Sequence, residues 1–208
     1  MTDYIDGFLA RIDTPAINKF SMSLSMDPVF DVPHLKQFIG RAKGLEPYKV
    51  ARVAFTAWSI HLSLTEPLPL SLEMRCGGRI NWKVGAMSLV CRQLSLFLSL
   101  VERLDIAGDL HFKSRGEDGL GFSQFFQPFT AIRSLHVSKS LMPLVASALQ
   151  ELIGPRATEV LPNLRDLFLG GSAIPGTIPE AMQPFVDARR LSGQPIAIHH
   201  WEEPGADL

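Results

Sequence analysis

The sequence predicts an α/β fold: a solenoid of stacked strands, each returned to the next by a helix, with a curved, mainly parallel sheet and helices on the outer side. Three observations carry this. An apolar frame is written three times at nearly constant spacing, helical periodicity fills the intervals, and one extra pair of alternating runs interrupts the series. The frame is clearest in "VERLDIAGD" (101–109), "IRSLHVSKS" (132–140) and "LRDLFLGGS" (164–172). Aligned on Leu104, Leu135 and Leu167, the copies lie 31 and then 32 residues apart. Each has an aliphatic residue three positions before and two after, in the pairs Val101/Ile106, Ile132/Val137 and Leu164/Leu169. A small polar residue follows three positions later: Asp109, Ser140 and Ser172.

Taken along the chain, "INKFSM" offers Ile17, Phe20 and Met22 as an upstream copy, and "VPHLKQFIGRA" (32–42) reads as a short helix. "VARVAF" supplies Val50, Val53 and Phe55. Two alternating runs around "TEPLP" then predict a hairpin inserted near 60–76. A step of 32 back from Leu104 lands within it, on Leu72. "VGAMSLVCRQLSLFLSL" places Met87, Cys91, Leu94 and Leu98 on one helical face. After the first strong frame, the Gly-rich, charged stretch 108–121 predicts an exposed loop, and "SQFFQPF" (123–129) a short helix. "SLMPLVASALQELIG" has the clearest helical spacing, through Leu141, Leu144, Val145, Ala148, Leu149 and Leu152, with Ser140 as the expected N-cap and Gly154 just past the end. "PEAMQPFVDARRLSG" is a less regular helix containing Pro184, and Ile198 in "PIAIHH" closes the series.

Side chains alternate across a strand, so Leu104/Ile106, Leu135/Val137 and Leu167/Leu169 share one face. One such strand cannot bury that face alone. Like-directed strands need a crossover, and roughly 20 intervening residues leave room for a helix. The frame has the shape of a leucine-rich repeat, with Asp or Ser at the usual Asn or Cys position.

Composition narrows the function classes. The chain has 208 residues, 46% of them hydrophobic, enough for a single irregular repeat domain spanning 1–208. Twenty basic against 21 acidic residues give a net charge of −1, which argues against nucleic acid as a partner. The mixed, acidic start "MTDYIDGFLARID" is not a signal peptide, and the most apolar stretch is interrupted by Arg92 and Gln93, so no membrane association is expected. Cys76 and Cys91 are too few for a disulfide framework, which points to a cytoplasmic or nuclear location.

No enzyme is expected. G-x-x-x-x-G-K-[ST], G-x-S-x-G, H-E-x-x-H and C-x-x-C are all absent, so catalytic residues, cofactor and metal are each predicted to be none. "HHWEE" (199–203) is the nearest approach to a metal motif, but adjacent His199 and His200 on a strand point to opposite faces, one packed and one solvated. Cys76 reads as a small buried residue, and Gly170 and Gly171 as a turn after a strand.

Five segments carry a family resemblance: "LKQFIGRAKGLEPYKVARVAF" (35–55), "INWKVGAMSLVC" (80–91), "FFQPFTAIRSLHVS" (125–138), "ALQELIGPRATEVLPNLRDLFL" (148–169) and "PFVDARRLSGQPIAIHHW" (184–201). In order and spacing they resemble the C-terminal leucine-rich-repeat region of F-box proteins of basidiomycete fungi. The resemblance implies a protein-interaction module, the substrate-recognition part of an F-box-type ubiquitin ligase adaptor. The F-box of such proteins lies upstream, and nothing in these 208 residues resembles it. A ligase adaptor is therefore an expected partner only if an F-box lies upstream; the alternatives are an orphan or truncated repeat protein without a ligase connection and a small-molecule enzyme. The target protein is not specified.

The expected binding positions are those between the apolar pairs. Asp105, His136 and Phe168, flanked by Arg103, Ser134 and Asp166, fall in rows across the uncovered sheet face if the copies stack. Phe168 marks the surface, because an aromatic ring at a water-facing position is enriched where partners dock.

Overall fold

The structure is a computed structural model that describes residues 20–25, 48–65, 69–76, 79–108, 120–152, 158–171 and 178–202. The expected helix at 32–42, most of the 108–121 loop, Ile17, Asp109, Gly154 and Ser172 lie outside those residues. Eight strands form one open sheet: β1 (Phe20–Ser25), β2 (Val50–Phe55), β3 (Ser59–Thr65), β4 (Leu70–Arg75), β5 (Arg103–Gly108), β6 (Ser134–Val137), β7 (Asp166–Gly170) and β8 (Ala197–Trp201). Their order is β1-β4-β3-β2-β5-β6-β7-β8.

From β2 through β8 by way of β5, β6 and β7 every pairing is parallel, as is β1 with β4. β3 pairs antiparallel with both β2 and β4, so it alone runs against the rest and the sheet is mixed. The predicted hairpin is present, but it sits between β1 and β2.

Register explains the core. Leu70, Leu64, Ala51, Leu104, Leu135, Leu167 and Ile198 are lateral neighbours from β4 to β8. All but Ile198 are buried; Ile198, on the terminal strand, packs against the cluster while remaining half-buried. Two upstream alignments need correction. Leu72 lies opposite Leu62 and Met22, not beside Leu104, because the hairpin carries it three strands away. Ala51, not Val53, faces Leu104; strand alternation puts Ala51, Val53 and Phe55 on one side and turns Val50 to the other.

Helices α1 (Ile80–Gln93), α2 (Ser95–Leu98), α3 (Leu120–Phe126), α4 (Met142–Gln150) and α5 (Gln183–Leu191) supply the rest of that core, with a 3₁₀ turn at Glu180–Met182. Met87, Cys91, Leu94 and Leu98 are buried, as their spacing predicts. α3 begins earlier than 123, and its Phe122, Phe125 and Phe126 join Phe129 and Phe55 in a chain of ring contacts with centroids 5.4–6.1 Å apart. Pro184 occupies the first turn of α5, where a missing N–H costs nothing.

Ser140 is not the N-cap of α4. Leu141 holds that position without a side-chain bond, and the Ser140 hydroxyl donates instead to the carbonyl of Gly108 at 2.6 Å. The hydroxyl ties the end of β6 to the end of β5, across 32 residues of chain. Similar ties recur: Thr130 to Ser99 O (3.3 Å), Asn163 to Thr130 O (2.9 Å) and Gln150 to Ala181 O (2.6 Å), spanning 31, 33 and 31 residues. Side chains thus couple neighbouring units at the spacing of the apolar frame. Beyond β7, Gly171 has φ +65°, and a Cβ there would come within 2.6 Å of the Lys139 side chain, so the expected turn glycine is required twice over.

Candidate functional site

The face opposite the core carries the alternate residues of every strand. Arg103, Ser134, Asp166 and Ala197 form one lateral row, and Asp105, His136, Phe168 and His199 the next. All six expected positions therefore fall on this open face in the predicted rows.

Their environments differ from the expectation. Asp105 and His136 are only 8% and 6% exposed, while Arg103, Ser134, Asp166 and Phe168 are half-buried. Facing away from the core did not leave Asp105 and His136 in water, because neighbouring side chains cover them. Arg103 clamps Asp105 through two parallel bonds, Nε to Oδ1 at 2.8 Å and an Nη to Oδ2 at 3.0 Å. His136 stacks on Phe168 with centroids 4.1 Å apart and planes 7° apart. Trp201 meets the same imidazole edge-on at 5.2 Å. Trp201 belongs to β8, two strands from His136. The residue beside it on the intervening strand is Gly170, which has no side chain to block an indole lying across β7.

The stack continues past Phe168 to His199, with centroids 4.5 Å apart. His199 Nε2 lies 2.8 Å from Asp166 Oδ1, in a pair whose side chains are 41% and 40% exposed. His136 Nδ1 lies 4.0 Å from Asp105 Oδ1, too far for a hydrogen bond, and has no partner among the described residues. Burial is the main cause that pushes its pKa down to about 4; Arg103 and His199 push the same way and Asp105 opposes them. His136 is a neutral ring at physiological pH.

His200 is exposed on the other side of β8, so the two adjacent histidines do face apart. Among the described residues no group of three or more His, Cys, Asp or Glu side chains is arranged to hold a metal ion. The Asp166–His199 pair is a carboxylate–imidazole hydrogen bond on the half-exposed edge of the row. A cleft of about 760 Å³ opens where β7 and β8 begin; Asp166 and Ala197 line it and also belong to the open face, while buried Arg189 donates to Leu164 O at its floor. No described helix is long and apolar enough to cross a membrane.

Residue types alone did not point to Lys83 or Trp201, and they drew attention to His199 only as a metal-motif candidate, not as a member of the binding row. Lys83 is buried in α1 and donates to the carbonyls of Thr56 (2.6 Å) and Ala57 (2.7 Å), fixing the β2–β3 turn; burial lowers its pKa. His199 was legible as the fourth copy of the Asp105/His136/Phe168 position, since Ile198 had already been placed in register with Leu167.

No protein-family model, curated protein or solved structure matches the chain.

Proposed function

We propose that this chain is a protein-recognition module that engages a target protein through the open face of β5–β8. The observation that carries the reading is the row Asp105, His136, Phe168, His199: rings stacked from buried His136 through Phe168 to half-exposed His199, with half-exposed Arg103 and Asp166 beside them. Rigid aromatic surface rimmed by charge supplies contact area at little conformational cost, and the charges orient a partner. The adjoining cleft gives the same partner a recess for a projecting side chain.

The finer reading is a leucine-rich-repeat-like solenoid acting as the substrate-recognition part of an F-box-type ubiquitin ligase adaptor. It rests on the family resemblance and is supported by side-chain ties at 31–33 residue spacing. Asp105 is too deeply clamped for a surface substitution, so the test is Phe168→Ala with Asp166→Lys. The double variant should keep its circular dichroism and lose the protein that the wild type retains from a fungal lysate. Undiminished capture by the folded variant rules out this face. For the ligase reading, fusing an F-box upstream should lower the cellular level of the captured protein; an unchanged level refutes it.

A further inference from the structure

β8 is the terminal strand of the sheet next to β7, and the backbone groups on its far side have a definite identity. The N–H of Ala197 donates to Arg165 O at 2.7 Å, so Ala197, His199 and Trp201 direct their backbone groups at β7. In a strand the next residues point the other way. Ile198 and His200 thus offer two N–H and two C=O groups to the free edge, and none of these pairs with another described residue.

Natural sheets blunt such edges with prolines, lysines or bulges. β8 has none: its sequence is Ala-Ile-His-His-Trp, and its register with β7 is unbroken. The side chains at the edge are also incomplete. Ile198 stands in the fully buried leucine row yet is only half-buried, and His199 is stacked on Phe168 by one ring face while its side chain stays 41% exposed.

We propose that the free edge of β8 binds an extended segment of a partner protein by strand addition. The segment's chemistry follows from the faces it must continue. Residues opposite Ile198 and His200 turn toward the core side; the one beside half-buried Ile198 is apolar, and the one beside exposed His200 meets water. The residue between them turns to the open face and is aromatic, extending the ring stack beyond His199. The motif is an apolar residue followed by an aromatic one in an extended strand. A second copy of this chain would offer its own β8 to the edge, and concentration-dependent dimerisation of the chain alone, with no peptide bound, would overturn the proposal in favour of that occupant. The site shares His199 with the open face but is engaged through the backbone edge of Ile198 and His200, so the two are tested separately.

The probe is a blocked peptide, Lys-Thr-Val-Tyr-Val-Thr-Lys, added to the intact chain. At a concentration about tenfold above its Kd, it should slow hydrogen exchange of the Ile198 and His200 amides about tenfold. His200→Pro removes an edge N–H that β7 does not use, so the variant should fold, checked by circular dichroism, and bind the peptide at least about tenfold more weakly. The Phe168→Ala variant keeps the edge, so loss of capture through the face does not count against this site. Unslowed exchange at Ile198 and His200, or equal binding by folded His200→Pro, overturns the proposal.

Discussion

The two faces of β5–β7 are built from the same strands and obey different rules. On the covered face, Leu104, Leu135 and Leu167 stack in register, each with no exposed surface, and any apolar residue of similar volume would satisfy the demand. On the open face, Asp105, His136 and Phe168 stack in the same register, but each is held by a specific neighbour: Arg103, Trp201 and His199. Covered-face burial follows from alternation alone. Open-face burial depends on which side chain happens to lie across which, so it is a property of the assembled rows.

That contrast can be broken most strongly from beneath. Leu135→Ala should cost about 2–5 kcal/mol, because it opens a cavity between two leucines that cannot close it. Chemical denaturation will show this, and a loss below about 1 kcal/mol would mean the leucines do not form one layer.

Acid should act on the other face. His136 has its pKa lowered to about 4 from an ordinary value near 6.5, so the unfolded chain binds the proton first as pH falls. The contribution from this residue is fully present above about pH 6.5, erodes between there and pH 4, and levels off below, for a total of about 3 kcal/mol at most. Denaturation midpoints measured across that window should fall with pH in the wild type and fall less in His136→Phe, which keeps the stacked ring without the titrating nitrogen. Equal slopes would show that the His136 environment is wetter than its burial implies.

A smaller effect belongs to the seam between units. Ser140→Ala should lose about 1 kcal/mol by leaving the Gly108 carbonyl without its hydroxyl donor, with the helicity of α4 unchanged. A loss of far-ultraviolet helical signal would instead restore the capping role. Least of all, Asp166→Ala should cost about 0.2–1 kcal/mol, because its bond to His199 is made at a half-exposed site where water competes. Added salt should shrink that cost further, and a salt-insensitive loss of several kcal/mol would mean that the pair is buried.

The alternation at Leu104, Leu135 and Leu167 was legible because a period of two and a constant repeat spacing together dictate both face and neighbour. The same logic placed Asp105 beside His136 and His136 beside Phe168. It could not foresee that Arg103 would fold back over Asp105, or that His136 would be covered, which requires Trp201 to lie across Gly170, a relation that no local spacing encodes. Upstream of Leu104 the spacing misled at Leu72, because an inserted hairpin adds residues without adding a unit, and at Val53, because the small Ala51 holds the position beside Leu104. Lys83 was invisible for a simpler reason: a lysine in a helix reads as solvated, whereas here the turn carbonyls of Thr56 and Ala57 help make its burial tolerable.

The hairpin of β3 and β4 also has an arithmetic of direction. Each strand added by antiparallel pairing reverses the direction, and two reversals cancel, so β1 runs with β2 although two strands stand between them. Growth by even steps leaves the orientation of everything upstream unchanged, whereas a single added strand would have turned β1 head to tail. The register keeps the same accounting, since Met22, Leu72, Leu62 and Val53 lie on one line. A chain in which β2 led directly to α1 could therefore bring Met22 of β1 opposite Val53 of β2 with no strand inverted and no side chain exchanged between faces.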